Sequence, residues 1–314
     1  MRVPKKFGKR STENNEKLQP KTRYFLTFEG EKTEYQYFQG IIDNQHELGI
    51  NELIDIIPLS RHHIEKSWSN PEKACHLFIK DLRERESGEQ TVGTLISHVT
   101  DWVMERKGVP SKAQVFTHLK NHLAELGYKP EDYVTEHNKT EVTKCICSSL
   151  DELRLVEVSP ETIGQFRKDL KVQKHFNKRD GDIACLIVDR DADSFTSEQY
   201  DSVVEKCEKE HIDLYVTNPR FEFWLLLHFL DKNRIKCENI CQKRETGKQP
   251  YLEQELNRYC RGVSKRQIPF DLLVDKVDTA IENEKEFCED ISGLKKTIGS
   301  NIGQLMTELK GIKR

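Results

Sequence analysis

The 314-residue chain is long enough for one elaborated domain or two ordinary ones. Charged residues make up 33% of it and hydrophobic residues 36%, a balance typical of a polar protein with a helical surface. The most apolar stretch, 223–230, is too short to span a bilayer, and the first residues lack the apolar core of a secretory signal, so we expect no membrane partner. Nine cysteines at irregular spacing favour a cytoplasmic location over a disulfide framework.

Positive charge is concentrated at the start of the chain. Residues 1–23 carry eight Lys or Arg and two Glu, whereas the remainder carries 42 basic and 51 acidic residues, a net charge of −9. The polar composition of residues 1–22 predicts a disordered basic tail. Two interpretations stay open, an arm that contacts phosphates and a solvated leader without a role.

The next segment has the pattern of a strand, a turn and a helix. A predicted strand over Tyr24–Phe28 runs into Glu29, and a helix begins near Thr33, which forms a capping-box pattern with Gln36. A second short strand is predicted over 53–59. We therefore assign residues 23–60 to the first part of an α/β domain.

Residues 61–178 have a different character. Segments 71–82 and 113–119 repeat apolar residues at every third or fourth position, which predicts helices. We interpret this stretch as a helical insertion within the α/β domain.

The sheet is expected to resume over 179–232. A buried strand over Ile183–Val188 precedes a helix that begins with a capping box at Thr196 and Gln199. A further strand over Ile212–Val216 is followed by Asn218 as N-cap and Pro219 as the first residue of a helix over 220–230. Residues 233–314 are predicted to form a helical C-terminal region with a final helix over 301–310.

Acidic residues follow the first and third predicted strands. Because the carboxyl ends of parallel strands meet at one edge of a sheet, Glu29 and Asp189 are expected to lie close together. Asp189 and Asp191 project to the same side of an extended chain. Carboxylate oxygens of this kind suit Mg²⁺ or Mn²⁺, which points to phosphoryl-transfer chemistry. The alternative is a purely structural role, in which these residues form a hydrated acidic turn that caps the next helix.

The sequence gives less support to other kinds of metal site. A calcium-binding EF-hand needs Gly and Glu at the sixth and twelfth positions of its loop, where this chain has Ser194 and Tyr200. Cys237, Cys241 and Cys260 resemble half of a zinc site without a second close pair of ligands.

Three segments resemble the RloB family, whose members are similar to the Toprim domains of topoisomerases, primases and related nucleases. They are Phe28-Glu29-Gly30-Glu31-Lys32-Thr33-Glu34 with Tyr37-Phe38, then Asp189-Arg190-Asp191, and then the stretch from Asn218 to Phe229. Residues 297–303 show a fainter likeness. The resemblance implies an α/β, Toprim-like small parallel sheet flanked by helices.

The resemblance also implies roles for individual residues. Glu29 is expected to act as general acid or base and as a metal ligand, and Asp189 and Asp191 as ligands of Mg²⁺. The further expected site residues are Asp193 as a metal ligand and Glu34, Glu222 and His228 as catalytic or supporting groups.

The preferred hypothesis is a Mg²⁺-dependent nuclease that acts on RNA, including tRNA, or on DNA. The resemblance places it in bacterial antiviral defence, including abortive infection, often beside an ABC-type ATPase partner, and a homo-oligomer is compatible with the sequence. The alternative is a non-catalytic effector or regulatory subunit that binds the ATPase. Nucleotidyl transfer, as in primases, would need a nucleotide pocket and a template groove for which the sequence gives no sign.

Overall fold

The computed structural model describes most of the chain with side chains. The described residues are 22–30, 33–59, 70–87, 90–107, 111–135, 137–155, 175–191, 194–240, 251–260 and 268–311. The predicted basic tail, apart from its last residue, together with Asp193 and Cys241, lies outside them.

A five-stranded, mostly parallel sheet organises the fold. Its strands are β1 (Thr22–Phe28), β2 (Ile54–Leu59), β3 (Ile183–Asp189), β4 (Asp213–Asn218) and β5 (Gly299–Ser300). The order across the sheet is β2-β1-β3-β4-β5, in which the first four strands are parallel and β5 pairs antiparallel with β4. The predicted α/β class is therefore confirmed, and β1, β3 and β4 lie side by side.

Helices account for most of the remaining described residues. They are α1 (Thr33–Asp43), α2 (Pro71–Ser87), α3 (Val92–Lys107), α4 (Lys112–Glu125), α5 (Lys139–Glu152), α6 (Ser197–Glu210), α7 (Phe221–Leu227), α8 (Cys237–Ile240), α9 (Tyr251–Tyr259), α10 (Val277–Glu284), α11 (Ile291–Leu294) and α12 (Ile302–Leu309). Short 3₁₀ turns occur at Lys178–Asp180, Phe270–Leu272 and Val274–Lys276. Within the described part of the chain, none of these helices has the length and apolar character needed to cross a bilayer.

Both faces of the sheet are buried. Alternate side chains of β1 and β3 point to opposite faces, so that Leu26 and Ile187 join one core cluster while Phe25 and Leu186 join another. Helices α1, α7, α10 and α12 contribute to the first cluster, and α2 and α6 to the second. This double burial explains the nearly continuous apolar runs of the two strands.

The helices between β2 and β3 divide into two groups. Helix α2 packs on the sheet and α6 through Cys75, Phe78 and Leu82. Helices α3, α4 and α5 instead share a third cluster, which includes Val99, Phe116 and Ile146. The predicted helices exist, but the domain boundaries at 61 and 178 stay a prediction.

The predicted cap of α6 is present, whereas the predicted cap of α7 is not. The capping box that begins α6 is present, since Thr196 accepts from the Gln199 amide and Gln199 accepts from the Thr196 amide. The predicted N-cap at Asn218 and the predicted first helical residue Pro219 are wrong, because β4 continues through Asn218 and α7 begins at Phe221. The Asn218 side chain donates to the Leu294 carbonyl at 2.7 Å, and Arg220 is the N-cap of α7.

The C-terminal region docks on the β4 edge of the sheet. Asn301 accepts a hydrogen bond from the Val216 amide at 2.6 Å and donates to the Leu214 carbonyl at 3.1 Å. The side chain therefore acts like a neighbouring strand, and it places β5 and α12 against β4. The two-residue strand β5 was not predicted; the predicted final helix is present as α12, with Asn301 as its N-cap.

Candidate active site

The carboxyl ends of β1, β3 and β4 form one edge of the sheet. Phe28 of β1 is in register with Ile187 of β3, and Asp189 of β3 is in register with Thr217 of β4. The residues that follow each strand therefore enter the same crevice, as expected for an open parallel sheet.

Glu29 and Asp189 meet directly at this edge. The Glu29 amide donates to the Ile187 carbonyl at 2.9 Å, which carries the pairing of β1 and β3 one residue beyond β1. The Glu29 carboxylate then accepts a hydrogen bond from the Asp189 amide, with 3.0 Å between Oε2 and N. The side chain is thereby fixed beside the end of β3.

Glu34 enters the same crevice from the first turn of α1. The residue is 5% exposed, and its Oε1 accepts a hydrogen bond from the Gly30 amide at 3.1 Å. A Cβ atom on Gly30 would lie 2.1 Å from Glu34 Oε2, so the close approach depends on glycine at this position.

The charges of these groups converge on Asp189. Burial raises the pKa of the Asp189 carboxyl well above its usual range, and the negative charges of Glu34, Glu222 and Glu29 raise it further. A hydrogen bond of 2.7 Å from the Thr217 hydroxyl to Asp189 Oδ1 acts in the opposite direction. Three carboxylates, which follow β1 or belong to α1 and α7, therefore act on the carboxyl at the end of β3.

Asp191 lies in the turn after β3. Its carbonyl accepts from the amides of Ser194 and Phe195 at 3.1 and 2.8 Å, and its carboxylate lies 3.9 Å from the Arg220 guanidinium. Asp191 and Arg220 are each about one third exposed, so this pair faces the solvent side of the crevice.

Glu222 occupies the first turn of α7 and is half-buried. Its negative charge is one of those that raise the pKa of Asp189. The start of α7 thus supplies an acidic group and, through Arg220, a basic group to one crevice.

The structure places His228 in aromatic packing. It is 1% exposed, its Nε2 lies 3.2 Å from the Tyr37 hydroxyl, and its Nδ1 lies 3.1 Å from the Trp224 carbonyl. A carbonyl only accepts, so Nδ1 carries the proton and Nε2 accepts from Tyr37. Burial lowers the pKa of His228 to about 4. The imidazole is therefore neutral at physiological pH, and its catalytic assignment stays a prediction.

Two residues with evident roles were missed by sequence reasoning. Thr217 is fully buried and holds Asp189, which only the register of β3 with β4 reveals. Arg190 is 4% exposed, donates to the carbonyls of Lys295 and Phe195, and lies over the Phe195 ring. It fixes the turn that follows β3.

The donor set fits a hard divalent cation. Glu29, Glu34 and Glu222, whose charges act on Asp189, all offer carboxylate oxygens, which are the ligands that Mg²⁺ and Mn²⁺ prefer. Among the described residues, no three of these carboxylates bring their oxygens within 4.8 Å of one another. Mg²⁺ commonly keeps several waters and takes only one or two carboxylates directly, so some of these groups would act on the ion through bound water.

Two other features lie apart from this crevice. A groove of about 570 Å³ is lined by both basic and acidic side chains, which include Lys80, Arg83 and Glu210. The groove includes residues at the C-terminal end of α6, whereas Asp189 and Asp191 of the acidic crevice come before the first residue of that helix. Cys237 and Cys260 form no cluster of metal-binding side chains among the described residues.

The fold and the crevice define a class, an α/β protein with an acidic site at the carboxyl edge of a parallel sheet. Within that class the chain belongs to the RloB-like family, whose model, described as RloB-like protein, matches residues 24–309. The match covers nearly the whole chain, including α3 to α5. No curated protein and no solved structure matches the chain.

Proposed function

We propose that this protein is a Mg²⁺-dependent phosphodiesterase of the Toprim type that cleaves nucleic acid, either RNA such as tRNA or DNA. The observation that carries the proposal is the convergence of Glu29, Glu34 and Glu222 on Asp189, which raises the pKa of that carboxyl. Like charges assembled in this way destabilise a site unless a cation offsets them, and perturbed carboxyls in a crevice are typical of functional sites.

Glu29, Asp189 and Asp191 are the proposed ligands. Asp193, which lies outside the described residues, remains a further proposed ligand. When bound, the cation supplies electrostatic stabilisation of charge that develops on the phosphoryl oxygens.

The remaining chemistry falls to the chain itself. Glu29 is the proposed general acid or base, which takes a proton from the attacking water or gives one to the leaving oxygen. Thr217 orients Asp189 through its hydroxyl. Arg220, beside Asp191, offers a partly exposed guanidinium that can pair with a substrate phosphate.

Substrate binding requires positive charge from elsewhere. The chain after residue 23 has a net charge of −9, which repels a polyanion. The basic tail, the bound cation or a partner must therefore supply the attraction. An ABC-type ATPase partner and a role in antiviral defence are proposed because of the family resemblance.

The competing candidate is a non-catalytic effector that keeps the scaffold and works by binding the ATPase. Replacement of one or more of the proposed acidic ligands by a residue that cannot bind a metal would favour this candidate. Here Glu29, Asp189 and Asp191 are all present, and two of them are hydrogen-bonded to each other. That arrangement favours the enzyme.

Cleavage of labelled tRNA, other RNA and DNA with Mg²⁺ or Mn²⁺ tests the proposal. We expect the wild type to cut in a metal-dependent manner. Cutting should fall at least about 10²-fold in Glu29→Ala, which loses the general acid or base, and in Asp191→Ala, which loses a proposed metal ligand. Glu47→Ala, at an exposed acidic position outside the crevice, is the matched control. Protection of cells against phage by Asp189→Ala, with its fold unchanged, would overturn the enzyme in favour of the effector.

A further inference from the structure

Helices α4 and α5 carry a cluster of side chains of the types that ligate metals, and both helices pack with α3. These helices share their own hydrophobic core, distinct from the two cores that flank the sheet. On their surface lie His118 and His122 of α4 and Glu152, the last residue of α5. None of the three contributes to the acidic crevice described above.

The spacing of the two histidines places them on one face of α4. Residues four apart on a helix are neighbours, and the two imidazole rings have centroids 4.4 Å apart. Glu152 Oε2 lies 3.2 Å from His122 Nε2 and 3.5 Å from His118 Nε2. One carboxylate oxygen of α5 therefore faces two ring nitrogens of α4.

These distances match the edges of a metal coordination sphere. Donors placed about 2.0–2.1 Å from Zn²⁺ in a tetrahedron lie about 3.3 Å from one another. Among the described residues, this is the one set of three metal-type side chains whose ligand atoms all lie within 4.8 Å of one another.

His118 has an unmet bonding requirement in the same place. Its Nε2 is removed from solvent and makes no hydrogen bond within the described part of the chain. Buried polar atoms of native proteins nearly always have a partner. A metal ion beside Glu152 would provide one for this nitrogen.

We propose that His118, His122 and Glu152 bind a divalent transition metal, with Zn²⁺ as the best fit, and that the ion joins α4 to α5. Two imidazoles and one carboxylate suit Zn²⁺ and its neighbours, whereas Mg²⁺ prefers the all-oxygen crevice at the sheet edge. Water would complete the coordination, since Glu152 is 55% exposed. The site is independent of the proposed nuclease activity.

Cobalt(II) spectroscopy on the full chain tests this site separately from the acidic crevice. Excess Mg²⁺ is added to occupy the carboxylates, and Co²⁺ is then titrated. We expect one equivalent to give the intense visible absorption of tetrahedral nitrogen-containing coordination, and Zn²⁺ to displace it. His118→Ala, His122→Ala and Glu152→Gln should each weaken Co²⁺ binding at least tenfold, whereas His137→Ala, at an exposed position of the same segment, should not.

Glu152→Gln keeps the test decisive if a histidine variant fails to fold, because the side chain is exposed and its shape is retained. Zn²⁺ should raise the melting temperature of the wild type and of His137→Ala but not of Glu152→Gln. A wild type without the tetrahedral spectrum would overturn the proposal and leave a simple histidine–carboxylate ion pair. A spectrum and affinity unchanged in Glu152→Gln would also overturn it, because Co²⁺ would then be bound without Glu152.

Discussion

The carboxylate of Glu29 is hydrogen-bonded to the main-chain amide of Asp189, 160 positions further along the chain, at 3.0 Å. This bond joins the ends of β1 and β3 and gives the acidic crevice a fixed centre. The orientation of one proposed ligand thus depends on the backbone of another, so changes at either position report on the same unit.

Asp189→Asn should raise the stability of the protein without metal and abolish cleavage in the presence of Mg²⁺. Burial and three neighbouring carboxylates raise the pKa of Asp189 in the folded state above the ordinary value of 3.8. The folded protein therefore binds the proton more tightly, and the stability linked to it is present at low pH and is lost as the pH rises through the folded pKa. At pH 7.5 with EDTA, we expect the variant to have the higher urea midpoint.

The same variant isolates the role of the cation. Stabilisation by Mg²⁺ should be present in the wild type and absent from Asp189→Asn, because ligand binding to the folded state raises its stability. In EDTA, the difference between the urea midpoints of the two proteins should become smaller as the pH is lowered from 7.5 towards 5. A variant less stable than the wild type at pH 7.5 would show that the carboxylates do not repel one another as described.

Thr217→Val should weaken Mg²⁺ binding about 10–100-fold, the usual effect of removing a group that orients a metal ligand. Valine keeps the shape of the buried side chain but loses the hydroxyl that donates to Asp189 Oδ1 at 2.7 Å. Thr217→Ser keeps the hydroxyl and should restore binding. The measurement is the Mg²⁺ concentration that gives half-maximal cleavage, and equal values for Val and wild type would contradict the orienting role.

Much of this arrangement follows from local sequence patterns, and the exceptions have physical causes. The apolar runs of β1 and β3 and the capping box of α6 depend on neighbouring residues, so they were predictable. The end of β4 was not, because Asn218 stays in the sheet by pairing with Gly299, far along the chain. Thr217 was missed for a similar reason, since its role depends on the register of β4 against β3.

Gly30→Ala should impair activity with little loss of stability. The new Cβ would lie 2.1 and 2.4 Å from the two carboxylate oxygens of Glu34. The end of that flexible side chain can move away, but its hydrogen bond from the Gly30 amide is then lost. We expect cleavage to fall at least about tenfold and the unfolding free energy to change by less than about 1 kcal/mol, the cost of one ordinary hydrogen bond.

A double-mutant cycle shows whether Gly30 acts through Glu34. If it does, Gly30→Ala combined with Glu34→Gln should be no less active than Glu34→Gln alone. Additive losses in the double variant would place the effect of Gly30 elsewhere, for instance in the turn between β1 and α1.

His228→Gln should flatten the fall in stability at acid pH. Burial lowers the pKa of His228 from 6.5 to about 4 in the folded protein. The unfolded chain therefore binds the proton first, and stability that is present above pH 6.5 is lost as the pH falls towards 4. The full loss is ~3 kcal/mol at 1.36 kcal/mol for each pKa unit. Glutamine can still donate to the Trp224 carbonyl and accept from Tyr37, but it does not titrate.

Urea unfolding of wild type and His228→Gln at pH 7.5, 6 and 5 measures this difference, with the exposed His137→Gln as control. The wild type and the control should lose stability in parallel, and His228→Gln should lose less. Parallel curves for all three proteins would contradict a buried neutral imidazole.

Because the His228 side chain is hydrogen-bonded to Tyr37 and Trp224, we expect His228→Gln to keep cleavage within about tenfold of the wild type. A loss of about 10²-fold or more, the range for a general acid or base, would instead support the catalytic assignment that the family resemblance implies.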